Sequence, residues 1–377
     1  MSSDVIVVGG GPAGSLVARR LALDGMRVVL LTGATSPGSE GLSRRTNELL
    51  LEEGLGSSVT SLKGPMPRGG EWGAARAVAG FEWLADRTEL ANRLRQAAVA
   101  AGVVLKRDIV THVKRSGMGW CLDSRNFVRH EAPTVIDARG RRGPEHRGPL
   151  LLALGQRFHR SAVGMPRTGI HPTRDGWSWL VEERDTVWVQ LVSRPRPCHP
   201  ARWLAASIAQ IPALARALDG AVPCQPPVAR PAHARVSRAI EEHGIWRVGD
   251  AALAFDPLSS QGVYEALRDA RLIATAVRSV SAGNDVTLAR RFVADRRQET
   301  WRRAVAAAAA FYGENAALGP FWSEVASPTA RSFHRALARL PGSSAARCLT
   351  RAAYSSVTSS SRQRIREGCG TSPEFRW

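Results

Sequence analysis

Gly9, Gly11 and Gly14 stand at the spacing G-x-G-x-x-G, between the β-branched run Val5-Ile6-Val7-Val8 and a segment where Leu16, Val17 and Leu21 recur at helical spacing. That order puts bare backbone at a helix N-terminus, where amide N–H groups and the helix dipole can take a pyrophosphate. Pro12 and Ala13 complete the turn and join the glycines as candidate contacts. A dinucleotide site of this kind calls for an acidic residue about twenty positions on, to hold the adenosine ribose. The second apolar run, Val28 to Leu31, leads instead to Thr32. A threonine brings a hydroxyl without charge, so the ribose contact is expected to be weaker or to come from elsewhere, and affinity to be lower.

Other chemistry is thinly represented. The nine histidines include no HxH, HxxxH or HExxH spacing, and no metal site is expected. Five scattered cysteines (Cys121, Cys198, Cys224, Cys348, Cys369) form no CxxC pair, which fits reduced thiols. There is no GxSxG nucleophile elbow. Trp177 and Trp179, two apart in a strand-like stretch, share one face and are either core or pocket residues. His171 lies just before them and is a candidate base, although a lone histidine also serves as a structural or surface residue.

These residues need a strand, a helix and a parallel strand at the N-terminus, the βαβ unit. Arg44 to Leu50 reads as a helix closing at Gly54, and residues 61–79, rich in Gly, Pro and Ala, as loop or edge strands. A helix from Arg87 to Ala101 ends at Gly102, and short strands follow up to Val135-Ile136. Between about 150 and 235 the pattern turns to strand alternation, with one helix carrying Leu204, Ile208, Ile211 and Leu214. Nucleotide-domain character returns at Gly244 to Asp250, followed by a helix from Gly262 to Ser279. From Asp285 the chain is helical and arginine-rich, ending in a Ser-rich tail expected to be mobile. The expected fold is α/β: a Rossmann-like dinucleotide-binding domain (1–60, 84–149, 236–283), an inserted β-rich domain (61–83, 150–235) and a helical C-terminal region (284–377).

With 377 residues and 44% hydrophobic content the chain can build a substantial core. No apolar run reaches the length of a membrane span and no signal peptide is evident, so a cytoplasmic protein without a membrane partner is expected. The net charge of +19 comes from 49 arginines and only three lysines, Lys63, Lys106 and Lys114. Arginine spread so evenly fits the codon bias of a GC-rich genome; the alternative is attraction of an acidic substrate or partner. Nucleic acid is not the expected partner.

Three further stretches resemble the flavoprotein monooxygenases of the para-hydroxybenzoate hydroxylase fold, a group that includes the flavin-dependent halogenases. They are Ser43-Arg44-Arg45-Thr46-Asn47-Glu48-Leu49-Leu50, Asp86-Arg87-Thr88-Glu89-Leu90, and Gly249-Asp250-Ala251-Ala252-Leu253-Ala254-Phe255-Asp256-Pro257-Leu258-Ser259-Ser260-Gln261-Gly262-Val263. Asp137-Ala138-Arg139-Gly140 is similar to the family's Asp-Ala-x-Gly strand end. The resemblance implies that the Rossmann-like domain is an FAD-binding domain of glutathione-reductase type and the inserted β-rich domain a substrate domain, with Arg44, Arg45 and Arg87 near the cofactor and Asp250 at the ribityl chain. It places Pro257, Ser259, Ser260, Gln261, Gly262 and Val263 around the isoalloxazine, with Arg45, Pro257 and Gln261 as its reactive-side neighbours. Helix amides at that turn stabilise negative charge on reduced flavin.

Gly176-Trp177-Ser178-Trp179-Leu180-Val181-Glu182 resembles the halogenase Trp-x-Trp-x-Ile-Pro signature but ends differently, and Phe311-Tyr312-Gly313-Glu314-Asn315 with Phe321-Trp322 resembles the halogenase-like helices. The loop wording is similar to flavoproteins that hydroxylate tryptophan in a protein or peptide. The function implied is FAD-dependent hydroxylation of an electron-rich aromatic ring through a flavin C4a-hydroperoxide, using O2 and an external reductant, either NAD(P)H or a partner flavin reductase. Substrate candidates are an aromatic small molecule or an acidic peptide or protein, held by His171, Trp177 and Trp179. Halogenases of this fold guide hypohalous acid with a lysine, and Lys63 comes closest, earlier than the family position. The alternatives are a halogenase, an FAD-dependent dehydrogenase or reductase like the geranylgeranyl reductases, and a non-catalytic basic binding protein.

Overall fold

The computed structural model describes residues 3–56, 62–73, 80–117, 119–142, 146–147, 151–161, 164–195, 199–237, 241–242, 244–326 and 375–376. The Ser-rich tail, Cys198, Cys348 and Cys369 lie outside the described residues.

The first apolar run is β1 (Val5–Val8), buried throughout. Pro12 opens α1 (Pro12–Leu23), which buries Leu16, Val17 and Leu21 and returns the chain to β2 (Val28–Thr32), parallel to β1. Next come β3 (Ser39–Leu42), α2 (Arg44–Glu52), β4 (Lys63–Gly70), β5 (Gly80–Asp86), α3 (Arg87–Ala100) and β6 (Val104–Arg107). An antiparallel meander, β7 (Val110–Ser116), β8 (Gly119–Ser124) and β9 (Arg129–Ala132), leads into β10 (Thr134–Asp137), which pairs parallel with β1.

After β11 (His146–Arg147), a run of long antiparallel strands makes the second layer: β12 (Leu152–His159), β13 (Arg167–Thr173), β14 (Gly176–Glu182) and β15 (Thr186–Ser193). Two helices, α4 (Pro200–Gln210) and α5 (Pro212–Ala217), cover one face of this sheet through Leu154, Leu180, Val189, Trp203, Leu204 and Leu214. A single helix was expected here. Pro212 splits it, because the residue before a proline is pushed out of helical geometry, and Ile211 has φ −113° and ψ 102°.

Short strands β16 (Val222–Pro223), β17 (Val228–Pro231), β18 (Arg235–Val236), β19 (Glu241–Glu242), β20 (Ile245–Arg247) and β21 (Leu253–Ala254) bring the chain back. The helices α6 (Gly262–Ser281), α7 (Val286–Gly313) and α8 (Pro320–Ala326) follow. The first sheet has the order β19-β20-β10-β1-β2-β6, parallel except for β19, and the larger one β16-β12-β15-β14-β13-β4-β5-β3, with β17 also on β12. This is the expected α/β architecture: a nucleotide-type sheet, a strand-rich insertion and C-terminal helices.

Within 61–79, where the sequence suggested loop or edge strands, the described residues include a strand inside the large sheet. β4 runs inside the large sheet between β13 and β5. Pro65 and Pro67 are tolerated because the register shifts between Lys63 and Met66, and Gly70 lets β4 close onto β13, where a Cβ would lie 2.2 Å from Ile170 O.

Two cores meet at the candidate site. One joins the parallel sheet to α1, α3, α6 and α7 through Leu16, Leu90, Ile136, Ile273 and Val293. The other is aromatic: Trp72 and Trp322 meet edge-on at 5.3 Å, Tyr312 lies 5.7 Å from Trp322, and Trp177 packs among them. Each such pair adds about 0.5–1.5 kcal/mol beyond its buried area, so the C-terminal helices are firmly seated on the large sheet.

Candidate active site

The glycine motif forms a tight loop between β1 and α1. Gly9 has φ 116° and approaches the Ala138 carbonyl so closely that a Cβ would lie 2.3 Å from its oxygen. At Gly14 a Cβ would lie 1.9 Å from Gly9 O, whereas at Gly11 it would meet nothing within 4 Å. Gly11 caps α1 without a side-chain hydrogen bond, so the first-turn amides are presented as bare backbone to the open side.

A second helix start converges on the first. Gly249 has φ 59°, and a Cβ there would press within 2.7 Å of Ala13 Cβ and 3.5 Å of Ala266 Cβ, so the early turns of α1 and α6 meet around it. The Gly249 N–H donates to Asp269 at 2.8 Å, and Arg297 braces Asp269 from α7 at 2.8 Å. Asp250, next in the chain, accepts from Arg141 Nε at 3.1 Å; the same guanidinium donates to the carbonyls of His233 and Phe255 at 2.6 Å.

Pro257 to Gln261 make the turn into α6. Asp256 caps it by accepting from the Leu258 N–H at 2.9 Å, and Ser260 adopts a left-handed conformation at φ 49°. Ser259 Oγ donates to Asp256 O at 2.9 Å, Gln261 precedes α6 without a side-chain cap, and a Cβ on Gly262 would meet nothing within 4 Å. Val263 packs partly buried against the main core. Both helix starts therefore offer uncapped amides beside a glycine that leaves room, a construction that fits the polar and anionic groups of FAD.

The arginines from the sequence motifs differ in their surroundings. Arg44 pairs with Glu48 on the α2 surface, while Arg45 is exposed with no ion pair among the described residues. Arg87, at the start of α3, is bonded to Glu40, which with Asp250 holds its guanidinium above its ordinary range. Asp86 caps α3 through the amides of Thr88 and Glu89. Arg230, bonded to Pro37 O, is drawn down to about 10 by burial, with Arg87 adding repulsion.

On the large sheet, Trp177 and Trp179 share the face opposite α4 and α5. Trp177 Nε1 donates to Tyr312 Oη at 3.1 Å, and Tyr312 Oη lies 3.1 Å from each Asp256 oxygen. A buried chain of three polar groups thus links the large sheet to the turn at Pro257. Burial pushes Asp256 up to about 6, against the hydrogen bonds from Leu258 and Tyr312, and raises Tyr312 well above its ordinary value. Trp179 Nε1 donates to Glu82 at 3.2 Å, and the other Glu82 oxygen rests against Gly41, where a Cβ would lie 2.5 Å away.

His171 does not join them. The register sets His171 opposite Ser178, whereas Ile170 and Pro172 face Trp179 and Trp177, so its side chain is carried to the α4–α5 side. Arg216 of α5 is among the charges it feels, and burial lowers its pKa. Lys63 is bonded to Glu183, just beyond the end of β14.

Three residues of the arrangement were not singled out from sequence: Asp256, Tyr312 and Arg95. The first two lay inside quoted motifs. Arg95 had its own signal, since it interrupts the apolar stripe Leu90, Ala91, Leu94 and Ala98 of α3. It is 9% exposed and donates to Thr32 Oγ1 and Gly10 O, both at 3.3 Å.

The fold is that of flavin-dependent enzymes, and comparison with known proteins agrees. Residues 2–132 match the family model described as FAD binding domain, and the protein is an FAD-dependent oxidoreductase with the fold of the halogenase-like flavin monooxygenases. Among solved structures it is similar to the peptidyl tryptophan dihydroxylase QhpG, essential for tryptophylquinone cofactor biogenesis, at 26% identity and a TM-score of 0.76 over 86% of this chain and 79% of that one. The myxobacterial chondrochloren halogenase CndH gives 21% identity and a TM-score of 0.75 over 86% of each chain. The flavin-dependent brominase Bmp2 gives 20% and 0.73 over 94% of this chain and 98% of that one. No curated protein sequence matches. No helix among the described residues is long and apolar enough to cross a membrane.

Proposed function

We propose that this enzyme hydroxylates an electron-rich aromatic ring, the indole of a tryptophan that is free or held in a peptide. Bound FAD, once reduced by an external donor, supplies the activation of O2. Gly9 to Gly14 take its pyrophosphate, Arg87 and Asp250 its ribityl side, and Arg45 with Pro257 to Val263 the ring. The Trp177–Tyr312–Asp256 chain fixes the turn at Pro257 and keeps water from that side of the flavin. Glu82, buried beside Trp179, offers a carboxylate oxygen to a substrate N–H. Replacing it by Gln is expected to raise KM about tenfold with a smaller change in kcat, the signature of lost binding. Equal KM values would remove Glu82 from the substrate site.

The observation that carries hydroxylation over halogenation is the position of Lys63. Its amine is bonded to Glu183, six residues along the strand from Trp177, roughly 20 Å at about 3.3 Å per residue. Arginine does not substitute, since its guanidinium stays protonated and is a poor nucleophile. The 26% identical dihydroxylase acts on peptidyl tryptophan, which supports the same substrate class. The test is mass spectrometry after incubating reduced enzyme, O2 and tryptophan-containing peptides with excess chloride or bromide. A gain of one or two oxygen atoms is expected. A halogenated product lost in Lys63→Ala would replace this reading with a halogenase, and a change of two hydrogens alone with a dehydrogenase.

The alternative to codon bias is that the net charge of +19 guides an acidic peptide or protein substrate. Apparent affinity is then expected to fall steeply as the Debye length shrinks from about 10 Å at 0.1 M salt to about 3 Å at 1 M. A flat response would return the arginines to composition alone.

A further inference from the structure

Thr32 occupies the end of β2, where a dinucleotide fold places the acidic residue for the adenosine ribose. What lies beside it is a cation. Arg95 reaches over from α3, nine-tenths buried, with Nη1 donating to Thr32 Oγ1 and Gly10 O at 3.3 Å and to Thr35 Oγ1 at 3.2 Å. Nη2 donates to Asn92 Oδ1 at 2.6 Å. All four acceptors are neutral, and among the described residues no carboxylate pairs with Arg95. The charge it feels most is Arg107, of the same sign, and burial with this repulsion lowers its pKa. Asp108, whose amide reaches Thr32 O, turns its own carboxylate to the Ile109 N–H and His130.

A buried guanidinium without a counter-ion is costly, and a protein keeps one where an anion completes it. Here the anion-binding element is adjacent: Gly10, which accepts from Arg95, is part of the glycine loop, and a Cβ on Gly10 would lie 3.1 Å from Arg95 Cδ. Thr32 is followed by the exposed Gly33, so the pair borders the open side of the loop.

We infer that Arg95, with Thr32, anchors the adenosine end of FAD by donating to its ribose hydroxyls while the cofactor's pyrophosphate neutralises the buried charge. The usual polarity of this subsite is inverted. Where a carboxylate would accept from the ribose, this chain donates to it, which a hydroxyl permits because it both donates and accepts. The inference rests on FAD binding at the glycine loop. It also removes the reason to expect weak affinity from the missing carboxylate.

The test is titration of FAD into full-length apoprotein, with melting of each apoprotein measured in parallel. Arg95→Leu is expected to weaken FAD binding at least about tenfold, or about 1.4 kcal/mol, while its apoprotein melts no lower than the parent because an uncompensated buried charge has gone. Thr32→Glu is expected to weaken binding as well, since the new carboxylate captures Arg95. The double variant Thr32→Glu/Arg95→Leu, with a carboxylate free for the ribose, is expected to bind more tightly than either single variant. Unchanged FAD affinity in Arg95→Leu would overturn the inference. So would tighter binding by Thr32→Glu alone, or an affinity loss in Arg95→Leu matched by a fall in apoprotein melting, which marks a structural role. A parent protein that takes up no FAD would instead overturn the cofactor site itself.

Discussion

A Gly11→Val protein is expected to fold, to melt like the parent apoprotein and to purify without FAD. Gly11 has φ −78° and ψ −175°, extended geometry open to any residue, and a Cβ there would meet no protein atom within 4 Å. The valine therefore costs the fold little and fills the space in front of the α1 amides, where a pyrophosphate must approach. Gly14→Ala is the contrasting case. Its Cβ would lie 1.9 Å from Gly9 O and 2.9 Å from Ala138 Cβ, so helix and loop have to separate, at a cost of about 1–3 kcal/mol typical of overpacking. Flavin absorbance per chain and thermal melts separate the two effects. A Gly11→Val protein with normal flavin content would move the pyrophosphate away from this loop.

The contrast between those two glycines marks how far the sequence was legible. The spacing of Gly9, Gly11 and Gly14 between strand and helix is local information, and the βαβ unit follows from it. The loss of the acidic residue at Thr32 is equally local, but its counterpart Arg95 is 63 residues away and meets it only because α3 packs beside α1. Trp177 and Trp179 share a face by strand parity alone. Excluding His171 from that face needed the β13–β14 register, which depends on where the hairpin turns. The prolines of β4 read as loop because a bulge that accommodates them leaves no periodic trace. Asp256 and Tyr312 each stood in a quoted motif, yet their contact spans 56 residues and is made by a helix folding back over the large sheet.

That contact gives the molecule a titrating group inside its core, with an expected effect on stability of about 3 kcal/mol. Asp256 titrates at about 6 in the folded protein against 3.8 in the unfolded chain. Between those values the folded state holds the extra proton, so unfolding releases it and stability falls as pH rises across that window. At about 1.36 kcal/mol per pH unit of difference, the fall is complete above pH 6. Asp256→Asn keeps an acceptor for the Leu258 N–H and can still hydrogen-bond Tyr312, but it carries no charge to bury. The variant is therefore expected to gain on the parent as pH is raised from 4 to 7, and this difference cancels the other titrating groups. Denaturant melts of both proteins across that range measure it. A stability difference that stays constant with pH would mean that Asp256 is ionised throughout, and the Trp177–Tyr312–Asp256 chain would then hold a fixed carboxylate beside the flavin turn rather than one whose charge depends on pH.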